Sequence, residues 1–189
     1  MKFIFIIMIF VLVSCDLVTT RDAEAPELIG SKFSVATTPA ILFQNLSFAF
    51  EEKILENYSA CFIDQAFLKR DFEFIPSSNS ESQYPVLRDW NFDAEKQYFN
   101  NLINTSSKSN PLSLKLSNLI ATPQGDSAVY QYDYKISLTA NESALPNEFS
   151  GTALFKILLD SRNQWVIVEI QDIKKDNIPS WSDLRGRLY

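Results

Sequence analysis

The sequence has no histidine, and that absence excludes more than any residue present. Without imidazole there is no Ser-His-Asp or Cys-His activation, no His-ligated zinc and no histidine pH switch. Two cysteines, Cys15 and Cys61, are too few for a thiolate cluster, so neither a metal nor a cofactor is expected. Four glycines argue against phosphate-cradling loops, and neither G-x-G-x-x-G nor G-x-x-x-x-G-K occurs. Lys and Arg number 17 against 23 Asp and Glu, for a formal net charge of −6 with no basic block. Nucleic acid is therefore not an expected partner, because phosphate binding depends on clustered cations. Long apolar runs are also missing. The run from Phe3 to Val13 has about 11 residues, against roughly 20 needed to cross a bilayer.

Apolar residues make up 46% of the chain, with 15 Phe and seven Tyr, enough to fill the core of one domain. Lys2 followed by the Phe3–Val13 run has the layout of a secretory signal. Its end, Leu12-Val13-Ser14-Cys15, resembles the lipobox of bacterial lipoproteins at all four positions. That resemblance implies a signal peptide over 1–14 and a diacylglyceryl and palmitate-type modification of Cys15. It implies a lipid anchor to a membrane of the bacterial cell envelope, through acyl chains worth about 0.8 kcal/mol per buried methylene. Removing residues 1–14 takes away Lys2 and no acid, which leaves a net charge of −7. Asp16 follows the cysteine; in enterobacterial lipoproteins an aspartate there favours the inner membrane, a rule that does not transfer to all bacteria, so inner and outer membrane both stay open. Residues 15–37 lack any period and read as the lipidated cysteine and a flexible tether, spanning roughly 25 Å as a coil. Cys61, left without a partner, sits in Tyr58-Ser59-Ala60-Cys61-Phe62 and reads as a packed small hydrophobe.

Residues 38–189 read as one α+β domain. Thr38-Pro39 has the form of a helix start, followed by an apolar stripe at Ile41, Leu42, Leu46, Ala49 and Phe50. A polar turn at Glu51-Glu52-Lys53 leads to a short helix over 55–62, and Phe72 to Pro76 alternates as a short strand. Pro76 to Tyr84 is rich in Ser and Asn and reads as a loop. The spacing predicts a helix over 93–104, capped by Asp93, with Tyr98, Phe99, Leu102 and Ile103 on one side. Four strands follow. The clearest places Ala128, Tyr130, Tyr132, Tyr134, Ile136 and Leu138 on one face and Gln131, Asp133, Lys135, Ser137 and Thr139 on the other. The turn Pro123-Gln124-Gly125-Asp126 precedes it, and the last strand runs from Trp165 to Ile173.

The helices-then-meander order predicts helices packed on one face of a curved antiparallel sheet. Phe50 to Lys53 leading to Tyr58–Phe62, the strand Phe72-Glu73-Phe74, Trp165-Val166-Ile167-Val168 and the closing Ser180-Trp181-Ser182-Asp183-Leu184-Arg185 resemble the nuclear transport factor 2-like superfamily. This is the cystatin-like cone, which includes SnoaL-like proteins; the last segment is similar to uncharacterised lipoproteins of this type. The resemblance implies a conical pocket between helices and sheet. Ketosteroid isomerases of this type use a tyrosine in the first helix and an aspartate before a proline. Aligning Cys61-Phe62 and Ile75-Pro76 with them puts Leu46 and Ile75 at those positions, and neither can move a proton.

The candidate pocket residues are Trp90, Tyr98, Tyr132, Glu169 and Asp172. Period two puts Glu169 on the face of Trp165 and Ile167, and Asp172 on that of Val166, Val168 and Ile170. A carboxylate inside an apolar cone would be a competent base, but strand-end acids facing solvent and aromatics serving the core are the favoured expectation. No catalytic set is assigned. The expected function is that of a membrane-anchored envelope lipoprotein binding a small apolar ligand or an envelope protein partner. The alternative is a SnoaL-like isomerase, dehydratase or hydrolase with a buried carboxylate as general base. A homodimer through the open sheet face is possible, although the polar row Gln131 to Thr139 is not an apolar dimer patch.

Overall fold

Thr38 and Pro39 begin the first helix as their chemistry requires. In the computed structural model, which describes residues 30–140, 145–175 and 177–189, Thr38 Oγ1 accepts from the Ile41 N–H at 3.3 Å and Pro39 occupies the first helical position. The expected signal segment, the expected lipidation site at Cys15 and most of the expected tether lie outside the described residues. The chain divides into two compact units, Met1–Ser31 and Lys32–Tyr189, and only the second is described below. The stretch just before Thr38 already belongs to this unit. Asn45 exchanges hydrogen bonds with the Ser34 backbone, and the Trp165 N–H donates to Ala36 O at 2.8 Å.

Helix α1 (Pro39–Glu52) buries Leu42, Phe43, Leu46, Ala49 and Phe50, and ends where Lys53 turns left-handed at φ 57°. The polar turn is thus narrower than expected, since Glu51 and Glu52 are still helical. α2 covers only Leu55–Ser59, and Phe62 pairs instead with Ile167 as an isolated parallel bridge. β1 (Glu73–Ile75) follows. The Ser-rich stretch predicted as a loop contains α3 (Ser78–Gln83) and then a 3-10 turn, Pro85–Asp89. Serine disfavours helix by itself, but Ser77 N–H donates to Ser182 Oγ at 3.1 Å and Ser80 to Asp183, so tertiary bonds decide. α4 (Phe92–Thr105) is capped by Asn91, whose Oδ1 accepts from Ala94 N at 2.9 Å; Asp93, the predicted cap, lies inside and pairs with Lys96.

β2 (Ser113–Gln124), β3 (Ser127–Ser137), β4 (Glu148–Leu159) and β5 (Trp165–Lys174) form an antiparallel meander, and α5 (Trp181–Leu188) closes the domain. Gly125 stands at φ 63° in the two-residue turn between β2 and β3, where a hairpin of this length favours glycine. The sheet order is β1-β5-β4-β3-β2. β1 runs parallel to β5, so the sheet is mixed rather than wholly antiparallel as expected. β3 keeps its alternation: Ala128, Tyr134, Ile136 and Leu138 are buried, and Tyr130 and Tyr132 are half-buried beneath Phe43.

β5 does not keep strict period two. Lys156 pairs with Glu169 but Ile157 with Ile167, so one extra residue stands in β5. The bulge puts Ile167 in phase with Ile170 and Asp172, and removes it from the face of Glu169 where simple alternation had put it. No helix among the described residues is long and apolar enough to cross a membrane.

Candidate functional site

The interior of the cone is built around α5. Ser180 and Asp183 form a reciprocal capping box: Ser180 N–H donates to Asp183 Oδ2 at 2.8 Å, and Asp183 N–H to Ser180 Oγ at 3.3 Å. Five consecutive residues, Trp181 to Arg185, are buried, although three of them are polar or charged. Each of the three polar side chains makes at least one hydrogen bond to another element. Tyr134 OH accepts from Trp181 N–H at 2.7 Å and donates to Asp172 Oδ1 at 2.7 Å. Asp172 Oδ2 accepts from Ser182 N–H at 2.7 Å and from its hydroxyl at 2.5 Å. The Asp172 side chain thus accepts from a backbone N–H in the first turn of α5, one of the donors that a helix leaves without a partner of its own. Trp181 Nε1 donates to Tyr98 OH at 2.9 Å.

Deeper in, Arg185 donates through Nε and Nη2 to Glu95 at 2.9 and 2.6 Å. Both side chains are 0% exposed. Glu95 also accepts from Trp90 Nε1 at 2.6 Å and from Tyr58 OH at 2.5 Å. Rings fill the remaining space, with Tyr58 stacked on Phe99 and Phe50 edge-on to Phe99 and Trp181.

The protonation of these groups follows from their burial. Burial first, then the neighbouring Glu95, pushes the Tyr58 hydroxyl well above its ordinary range; burial and Asp172 do the same for Tyr134. Neither phenol gives up its proton near neutrality. Asp183 responds in the opposite sense. Burial would raise its carboxyl, but donors from Lys174, Ser80 and the Ser180 N–H outweigh this and hold it below its ordinary value. Burial pushes the Cys61 thiol up, and its Sγ lies 3.4 Å from Asn57 O.

Of the five sequence candidates, three enter this network. Trp90 and Tyr98 are buried beside Glu95 and Trp181, with ring centroids 6.3 Å apart. Asp172, for which a solvent-facing position was favoured, is 3% exposed and bonded to α5. Tyr132 stands apart, half-buried against Phe43 with centroids 4.9 Å apart. Glu169 lies on the other face of β5, partly exposed, in register with Lys156 and Glu73.

The residues that sequence reasoning missed are Glu95, Arg185, Tyr58 and Trp181. A signal for Glu95 was present: it precedes Tyr98 and Phe99 by three and four positions, on the same helical stripe. For α5 the signal was Ser180-x-x-Asp183, a capping pattern that opens a helix.

A groove of about 900 Å³ opens elsewhere, over Phe62, Phe72 and Phe92, with Arg70, Lys96 and Arg162 among its lining residues. None of the five candidates lines it. Among the described residues, no three His, Cys, Asp or Glu side chains gather as a metal site.

No protein-family model matches the sequence, and no curated protein does. Solved structures do match. A nuclear transport factor 2-like superfamily protein from Salmonella enterica serovar Typhimurium is similar at TM-score 0.51 and 10% identity, over 74% of this chain and 87% of that one. A nuclear transport factor 2-like protein from Cytophaga hutchinsonii is similar at 0.51 and 13% identity, over 71% and 93%. A candidate scytalone dehydratase from Novosphingobium aromaticivorans is similar at 0.52 and 11% identity, over 74% and 87%. At these identities the likeness is one of fold. With helices laid on a five-stranded sheet and an interior closed by α5, the domain has the nuclear transport factor 2-like α+β cone.

Proposed function

We propose that this protein is a lipid-anchored component of a bacterial cell envelope that acts by binding rather than by catalysis. The observation that carries this reading is the state of its buried acids. Among the described residues these are Glu95, Asp160, Asp172 and Asp183, and all four are engaged by protein donors. A general base needs a lone pair directed at a substrate proton. The lone pairs here are directed at Arg185, Trp90, Tyr58, Tyr134, Ser182, Lys174 and Arg162. Asp160 is held within its own turn by Arg162 and Gln164, and Glu95, Asp172 or Asp183 could serve the dehydratase, isomerase or hydrolase alternative only if α5 left first.

Of the two expected occupants, an envelope protein partner is favoured over a small apolar ligand. The space between helices and sheet is taken by Trp181, Phe50, Phe99, Phe155 and Arg185, each 0% exposed. Pairing of two copies through the open sheet face is a form of the same reading, which light scattering on the domain decides. The anchor rests on Leu12-Val13-Ser14-Cys15. Two measurements test the proposal. The mass of the mature amino-terminal peptide should carry diacylglycerol on Cys15; an unmodified cysteine or a retained Met1 would remove the anchor. An apolar fluorescent probe should find no stoichiometric site between helices and sheet, and one probe per chain bound there, rather than in the groove over Phe62, Phe72 and Phe92, would return the small-ligand reading.

A further inference from the structure

Arg185 is held as a bound ligand is held. Its guanidinium carbon lies 4.2 Å from the Phe74 ring centroid, 4.6 Å from that of Trp181 and 5.0 Å from that of Tyr98. A bidentate carboxylate closes the end of this aromatic enclosure. Rings around a carboxylate favour a weakly hydrated organic cation over a strongly hydrated inorganic one. Glu95 is fixed independently of its cation, since Tyr58 and Trp90 each donate to one of its oxygens. The wall and the anion thus belong to the body of the domain, and only the cation and Trp181 arrive on α5.

A second observation concerns the fit. Arg185 Nη1 is buried and has no acceptor among the described residues. An unsatisfied buried donor costs roughly 1–3 kcal/mol, so the pocket is not tailored to all five N–H groups of its occupant. Stability alone does not call for the pair either, because apolar side chains of equal volume often replace a buried ion pair at no loss.

We infer that Glu95, with Tyr58, Trp90, Phe74 and Tyr98, forms a binding site for a guanidinium-type organic cation, which the chain fills with its own Arg185. α5 is then an internal ligand. The inference stands on the geometry of the cone and does not depend on the lipid at Cys15 or on a protein partner.

Chemical rescue tests it in the full chain. Melting of Arg185→Ala and of wild type is followed as millimolar methylguanidinium replaces sodium at constant ionic strength. The expected result is a saturable rise in Tm for Arg185→Ala, on the order of 5 °C near saturation, with no comparable rise in wild type. Methylammonium should give a smaller rise, and Arg185→Ala/Glu95→Gln none. Equal shifts in wild type and Arg185→Ala, or a rescue that survives Glu95→Gln, would overturn the proposal. If Arg185→Ala is recovered unfolded, refolding in methylguanidinium but not in sodium chloride supports the site, and failure in both overturns it.

Discussion

Glu95 and Arg185 stand 90 positions apart and meet as a bidentate pair from which solvent is excluded on both sides. Truncating one partner strands the other as an uncompensated buried charge. Arg185→Met should therefore lose about 3–5 kcal/mol of stability, and the double change Glu95→Gln/Arg185→Met, which removes the stranded charge but keeps a carbonyl oxygen for Tyr58 or Trp90, should recover part of it. Urea unfolding of the four proteins closes the cycle. Additive losses would mean that the two groups do not act as a pair.

Asp172 accepts three hydrogen bonds, from Tyr134, the Ser182 N–H and the Ser182 hydroxyl. In Asp172→Asn one acceptor oxygen becomes an NH₂ facing donors. Thermal melting should register a loss of about 1–3 kcal/mol. An unchanged Tm would mean that Asp172 does not hold α5.

Gly186 lies in α5, where a Cβ would run into the ring of Tyr84. Helix propensity alone predicts that Gly186→Ala stabilises by about 1 kcal/mol. Overpacking against Tyr84 predicts a loss of about 1–3 kcal/mol, and the overlap is large enough for that term to win. A more stable Gly186→Ala would show that α5 does not pack on Tyr84.

Acid should weaken the fold through carboxylates held below their ordinary values. Asp183 is one; Asp133 is another, lowered to about 2 by hydrogen bonds from Asn118, Lys175 and Thr152. A folded pKa below the unfolded one gives stability that is complete above the unfolded value, about 3.9 for aspartate, and lost as pH falls through the folded value. Tm should hold from neutrality to about pH 5 and decline below about pH 4. Asp133 is partly exposed, whereas Asp183 and Asp160 are buried, and despite that burial Arg162 and backbone donors hold Asp160 low as well; these two should dominate, and Asp183→Asn should reduce the acid limb. An acid limb unchanged by Asp183→Asn would place the titrating groups elsewhere.

Cys61 is 1% exposed and its thiol is pushed up by burial. A thiol reagent should leave it unmodified at neutral pH until denaturant unfolds the domain. Modification of the folded protein at the rate of a free thiol would show that the α2 region opens without unfolding.

What could be read from the sequence follows the range of the interactions. Thr38-Pro39, the alternation of β3 and the turn at Gly125 are local signals, and the structure places all three as read. Register is not local. The extra residue opposite Lys156/Ile157 reverses the phase of β5, and only the pairing with β4 exposes it. The pairing of Glu95 with Arg185 depends on where the whole meander returns the chain, so the helical stripe places Glu95 on the inner face but cannot name its partner. Alternation places Asp172 on an apolar face; what it cannot show is that α5 packs there and supplies two of its three donors.

The order of synthesis gives α5 one more consequence. Every other helix and strand of the cone precedes Trp181 in the chain, so a nascent polypeptide carries Glu95 without Arg185, and Asp172 without Ser182, until α5 emerges. The core then cannot settle piecemeal from its amino end. A chain interrupted before Arg185 keeps an unneutralised acid at its centre, which marks it for removal by proteases that recognise incompletely folded protein.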